Sequence, residues 1–269
     1  MTTASNQYFN NHNSIERIST GSSNVDKLLC GGVETKAVTE FYGAPGSGKT
    51  QLCHTMCAIV PQDESDGGVT GKTIYIDTER TFRPKRIAEI ATARGFEPDM
   101  TLDNVIILEA QDSHTQERIM DDIDSLLKDK TNERFKLLVV DSPVTHYRSE
   151  YIGRENLPKR QQKLFWFMRR LVKLAYTYNI AVVVTNHINT TPNSKKMSGK
   201  PAGGNVMGHA VTYRVRFCTA NRSIYYATIV NSPYHPHNTK SFYISAKGLV
   251  DDNPNANYFP TISGLFWSD

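Results

Sequence analysis

No apolar run in this 269-residue sequence is long enough to cross a bilayer: the longest, Leu137–Val140 and Ile180–Val184, are of strand length, against the roughly 20 residues a membrane helix needs. The first twenty residues are polar and rich in Asn, Ser and Thr, without the apolar centre of a secretory signal. A soluble, cytoplasmic protein is the expectation, with no membrane partner. Cysteine is scarce. Cys30, Cys53, Cys57 and Cys218 contain no C-x-x-C pair, which argues against a disulfide framework and a zinc site. Cys53 and Cys57, four apart on an expected helix, read as small core residues. Charge imbalance is also slight, 31 basic against 27 acidic side chains for a net +4. There is no low-complexity tract and no internal repeat. With 39% apolar residues the chain can bury a sizeable core, and its length suits one large α/β domain or at most two small ones.

What is present is a strand–helix alternation. Ala37–Tyr42, Thr73–Asp77, Lys136–Asp141 and Ile180–Thr185 are apolar, β-branched runs separated by helix-length segments, the pattern of a mostly parallel sheet covered on both faces. The spacing predicts helices over Pro84–Arg94, Ser113–Lys128 and Leu157–Tyr178, the last with Leu164, Phe167, Met168, Leu171 and Ala175 toward the core. Its basic stripe, Lys159, Lys163, Arg170 and Lys173, reads as a solvated face. Val211–Phe217, Ser223–Val230 and Ser241–Ser245 alternate and are joined by short polar turns, which predicts an antiparallel extension of the sheet. The domain reading is a flexible arm over 1–20, a core over 21–250 and an aromatic tail over 251–269. That tail either docks on its own domain or binds a partner.

Gly43-Ala44-Pro45-Gly46-Ser47-Gly48-Lys49-Thr50 satisfies G-x-x-x-x-G-K-[ST] and lies between a strand and a helix-like run that starts at Gln51. Glycines at these positions let backbone N–H groups surround phosphate oxygens, and the helix N-terminus favours an anion. Lys49 supplies a charge to the β- and γ-phosphates, and the Thr50 hydroxyl is a Mg ligand. Leu137–Ser142 has the form of a second metal-side strand ending in Asp141. The Thr73–Asp77 strand leads to Glu79, a carboxylate placed to activate an attacking water. The alternative for Glu79 is an ordinary exposed acid at a strand end.

At this point the chain resembles the archaeal RadA and RadB recombinases and their eukaryotic relatives, within the RecA-like ATPases. The resemblance runs from about Ile18 to Asp251. Its ordered strings are Ile18–Gly21, Gly31–Thr35, the phosphate loop with Gln51-Leu52, Ile76–Glu79, Thr81–Pro84, Leu138–Ser142, Tyr147–Arg154, Arg160–Gln162, Val184–Asn186, Gly203–Asn205 and His209-Ala210. It implies a RecA-like fold, ATP and Mg as cofactors, and binding of Gly43–Gln51 to the nucleotide. It further implies Asp141 as the metal-side acid, Glu79 as the water-activating residue and Arg86 stacked on the adenine. Arg154 falls in the first DNA-binding loop. The second would be Asn189–Pro201, whose Lys195, Lys196 and Lys200 come with no acid, a composition suited to salt-dependent binding of single-stranded DNA.

The departures from the family are specific. His187 stands where relatives have the Gln that senses the γ-phosphate, and imidazole titrates near neutrality. Asn231, Pro233 and Pro236 fall in the segment that caps the nucleotide of a neighbouring subunit, with Asn231 and His237 in place of acids. The only counterpart of the Phe-x-x-Ala assembly motif is Phe9-Asn10-Asn11-His12, so self-assembly by that route is not expected. The helix-hairpin-helix module of full-length RadA has no counterpart in these residues. The resemblance therefore implies a slow, DNA-dependent ATPase of homologous recombination and DNA repair, with an accessory role preferred over that of recombinase. Its partners would be single-stranded DNA and a homo-oligomer or a hetero-assembly with a full-length recombinase. The alternatives are a nucleotide-gated assembly module with negligible turnover and a RecA-fold signalling ATPase without DNA binding.

Overall fold

The computed structural model describes residues 3, 15–129, 134–189, 199–220 and 223–253. The expectations for the Phe9–His12 motif, Lys195, Lys196 and the aromatics of the tail lie outside them.

Parallel strands β3 (Val38–Gly43), β4 (Lys72–Asp77), β5 (Val105–Glu109), β6 (Phe135–Asp141), β7 (Ala181–Asn189) and β9 (Tyr213–Thr219) make the central sheet. The antiparallel β10 (Tyr225–Asn231), β11 (Thr239–Ser245) and β12 (Gly248–Val250) extend it, in the order β12-β11-β10-β9-β3-β7-β6-β4-β5. The short β8 (Lys200–Pro201) pairs antiparallel with the end of β7. A separate two-stranded sheet joins β1 (Arg17–Ile18) to β2 (Val33–Glu34). The four predicted parallel strands are present with ends shifted by at most four residues, and the three C-terminal runs form the predicted antiparallel extension.

Side chains alternate across each strand. Leu137 and Val139 of β6 face one core, with α1 (Ser23–Leu28), α2 (Lys49–Ile59), α3 (Pro84–Arg94) and α4 (Pro98–Asp103). Leu138 and Val140 face the other, with α5 (Ser113–Lys128), α6 (Thr145–Glu150), α7 (Leu157–Tyr178) and α8 (Gly204–Ala210). Cys53 and Cys57 are buried in the first core, as expected. Helix ends follow local chemistry: Asp112 caps α5 by accepting from Thr115 N at 2.6 Å, and α3 opens on Pro84 and stops at Gly95.

Three features differ from the sequence reading. Residues 17–20, placed in the arm, are packed: Ile18 is fully buried, and Thr20 donates to Asp26 through both its N–H and its hydroxyl. Asp251, placed in the tail, accepts from Asn24 N at 3.0 Å and ties the end of β12 to α1. Part of the basic stripe of α7 is not free: Lys163 binds Glu117 at 2.8 Å, and Arg170 pairs with Asp121 at 2.5 Å, so both fasten α7 to α5. No helix among the described residues is long and apolar enough to cross a membrane.

Candidate nucleotide and nucleic-acid sites

The phosphate-loop sequence forms the turn from β3 into α2. Gly43 is compelled by close packing, since a Cβ there would lie 2.2 Å from the Phe217 carbonyl oxygen. Gly48 takes φ +96° at the N-cap and offers no side-chain cap, so the first N–H groups of α2 stay available to an anion. Lys49 folds back over the loop, donating from Nζ to Gly43 O and Ala44 O at 3.0 Å each. Burial draws its ammonium pKa down, and the charges of Asp141 and Glu79 work against that.

Parallel pairing brings the carboxylates to the same end of the sheet. Asp77 of β4 is in register with Asp141 of β6, and Gly43 of β3 with His187 of β7. Asp141 is almost fully buried. It accepts from Thr50 Oγ1 at 2.9 Å and Tyr75 OH at 3.0 Å through Oδ2, and from Thr185 through Oδ1. Burial raises its pKa, and the bonds from Thr185 and Thr50 oppose the rise. The Thr50 hydroxyl and the Asp141 carboxylate, hard oxygen donors in contact, fit a magnesium ion.

Glu79 reaches the site through a turn built by Asp77. Oδ1 of Asp77 accepts from Glu79 N at 3.1 Å and Thr81 N at 3.2 Å, and Oδ2 from Phe82 N at 3.0 Å. The Glu79 carboxylate accepts from Thr145 Oγ1 at 2.6 Å and from His187 Nε2 at 2.8 Å. Burial pushes its pKa up, but the bonds from His187 and Thr145 and the charge of Lys49 leave it below the ordinary carboxylate value.

These groups line a cavity of about 440 Å³. Pro45, Gly46, Gly48, Lys49, Thr50, Gln51, Glu79, Asp141 and His187 line it, together with Tyr225 and Ile244. The last two, on the antiparallel strands, have no local signature and were not foreseen. Together the glycine loop, lysine, hydroxyl and acids fit a nucleotide triphosphate with magnesium. Arg86 lies beside this cavity rather than in its lining. Its Nε donates to Gln51 Oε1 at 2.9 Å and its Nη2 to Ser245 O at 2.6 Å, fastening α3 to α2 and to the end of β11.

The nucleic-acid candidates sit elsewhere. Arg154 is exposed in the turn between α6 and α7, and Lys200 is exposed on β8. A second cavity of about 290 Å³ is bordered by Arg148, Arg160, Gln161, Asn189, Gly203 and Gly204. The sequence reading gave no role to Arg148 or Arg160. Both lie in strings that carry the family resemblance, and each is six residues from Arg154 in sequence. Asn231 is exposed at the end of β10, and Pro233 and Pro236 are exposed in the β10–β11 connection. β10 runs antiparallel to β9, so Asn231 lies at the end of the sheet opposite Tyr225, about 20 Å away at strand rise. The segment is remote from its own chain's phosphate loop.

Comparison with known proteins agrees with this arrangement. The Rad51 family model matches residues 11–252. The chain is 41% identical over 246 residues to the DNA repair and recombination protein RadA of Cenarchaeum symbiosum, covering 91% of this chain and 61% of that protein. It is 41% identical over 240 residues to the protein of the same name from Aeropyrum pernix, covering 88% and 74%. The chain thus spans about three-fifths of the first relative's length. With the phosphate loop, both acids and the mostly parallel sheet in one continuous match, this chain belongs to the Rad51 family.

Proposed function

We propose that this chain is a RadA-type ATPase of homologous recombination and DNA repair that binds Mg-ATP and single-stranded DNA and hydrolyses ATP slowly, in an accessory role in preference to that of recombinase. One observation carries the reading: Glu79, in the turn that follows β4, and Asp141, at the end of the neighbouring β6, border the same cavity as Lys49 and Thr50.

The roles follow from position. The loop amides and the Lys49 ammonium hold the phosphates and offset charge that grows on the transferred group. Thr50 and Asp141 would hold a magnesium ion, which would supply further charge neutralisation. Glu79, kept ionised by its hydrogen-bond donors, orients the attacking water and takes its proton. Arg148 and Arg160 line one cavity and Arg154 and Lys200 are exposed, which supports DNA binding through phosphate contacts; Lys195 and Lys196 would add to it. The distance of Asn231, Pro233 and Pro236 from their own phosphate loop supports their action on a neighbour's nucleotide, in a homo-oligomer or with a full-length recombinase.

The test is ATP turnover with and without single-stranded DNA for the native chain, Lys49→Ala and Glu79→Gln. Turnover that rises with DNA and is lost in both variants is expected. A normal rate in Lys49→Ala overturns the proposal. His187 in place of the family's γ-phosphate-sensing Gln, with Asn231 in place of an acid, favours a second reading, an assembly module that retains ATP; single-turnover hydrolysis that stays negligible with DNA present would select it.

A further inference from the structure

Both hydrogen bonds that Glu79 receives end on the same oxygen. Thr145 Oγ1 donates to Oε1 at 2.6 Å, and His187 Nε2 lies 2.8 Å from that atom. Among the described residues no side chain or backbone group bonds Oε2. A carboxylate whose one oxygen is held by two donors loses its rotational freedom, and its accepting capacity is left on the other oxygen.

The neighbours cannot substitute for this hold. Among the described residues, the ionisable groups around Glu79 are Lys49 from α2, Asp141 from β6 and His187 from β7. Lys49 Nζ is engaged with Gly43 O and Ala44 O, and Asp141 accepts from Thr50, Tyr75 and Thr185. Among the described residues, only Thr145 and His187 direct side-chain donors at Glu79.

Thr145 is itself set rigidly. It opens α6 four residues after Asp141, and its hydroxyl lies 3.3 Å from Ser142 Oγ. Thr78 Oγ1 in turn donates to Ser142 O and accepts from Ser142 N, each at 2.8 Å, which joins the ends of β4 and β6. The Thr145 hydroxyl is therefore fixed relative to the strand end that carries Asp141.

We propose that Thr145 is a positioning residue of the hydrolytic site: its hydroxyl locks Glu79 through Oε1 and thereby aims Oε2 at the attacking water. The inference rests on the reading of Glu79 as the residue that activates water. Thr145 touches neither water nor phosphate in this role and acts through Glu79 alone.

The full chain is compared with Thr145→Val, Thr145→Ala, Thr145→Ser and Glu79→Gln. Loss of the hydroxyl in Val or Ala is expected to lower kcat about tenfold with KM for Mg-ATP unchanged, and Ser to restore it to within about twofold. A second readout uses nucleotide-free protein labelled with ¹³C at glutamate carboxylates. The Glu79 resonance, assigned by its absence in Glu79→Gln, should move in Thr145→Val and Thr145→Ala and return in Thr145→Ser. A native kcat or an unmoved resonance in both hydroxyl-less variants overturns the proposal, as does a fall in kcat matched by an equal rise in KM. If Glu79→Gln itself turns over ATP at the native rate, the underlying assignment of the base has failed instead.

Discussion

The Thr50 hydroxyl donates to Oδ2 of Asp141 at 2.9 Å across 91 positions of sequence, joining the first turn of α2 to the end of β6. Both oxygens suit a magnesium ion, and parallel pairing of β3, β7 and β6 is what brings them together.

Thr50→Val and Asp141→Asn are each expected to lower Mg-dependent ATP turnover by about 10²-fold and to raise the magnesium concentration needed for half-maximal rate. A magnesium titration in each variant checks this. An unchanged midpoint in both would remove the metal role from the pair.

Glu79 gives stability a predictable pH dependence. Despite its burial, the bonds from His187 and Thr145 hold its pKa below the ordinary value of about 4.3. The unfolded chain binds that proton more readily, so its stabilising effect is present above the ordinary value and is lost as pH falls through the depressed one. The stability gap between native protein and Glu79→Gln, read from urea melts, should narrow as pH falls from neutrality through and below the ordinary carboxylate value. A constant gap over that range contradicts the hydrogen bonding described.

Phosphate contacts predict a salt signature. Alanine at Arg148, Arg154 or Lys200 is expected to weaken single-stranded DNA binding similarly for different sequences and to reduce the salt slope by about one each. Charge reversal at Lys195 and Lys196 should act in the same direction. Anisotropy titrations at several salt concentrations provide the measurement; slopes identical to the native one would remove these residues from the interface.

A buried ion pair predicts the largest stability effect. Glu40 of β3 is fully buried, pairs with Arg214 of β9 and accepts from Asn186 Nδ2 at 2.7 Å. Glu40→Ala leaves Arg214 without its counter-charge and should cost about 3–5 kcal/mol. Adding Arg214→Ala should recover part of that loss in denaturant melts. Strict additivity of the two substitutions would mean the pair is not coupled.

Legibility differed by element. The helices over Pro84–Arg94, Ser113–Lys128 and Leu157–Tyr178 were readable to the residue, because long amphipathic periods, an early proline and terminal caps carry local information. β5 was not named. It is an edge strand with half-exposed side chains, and its short apolar run Val105–Leu108 carries no alternation. The six- and seven-residue helices α1, α4, α6 and α8 were also missed, since one or two turns are held by tertiary packing rather than by propensity.

By itself the sequence determined the phosphate loop, the strands that carry the two acids and the family, because these depend on residue type at fixed local spacing. Only the tertiary structure decided that His187 and Thr145 converge on one oxygen of Glu79, that Tyr225 and Ile244 wall the nucleotide cavity, and that Arg86 stands beside it. Those relationships arise from strand order and register, which bring together residues far apart in the chain. No local pattern encodes a hydrogen bond between such positions until the sheet has been assembled.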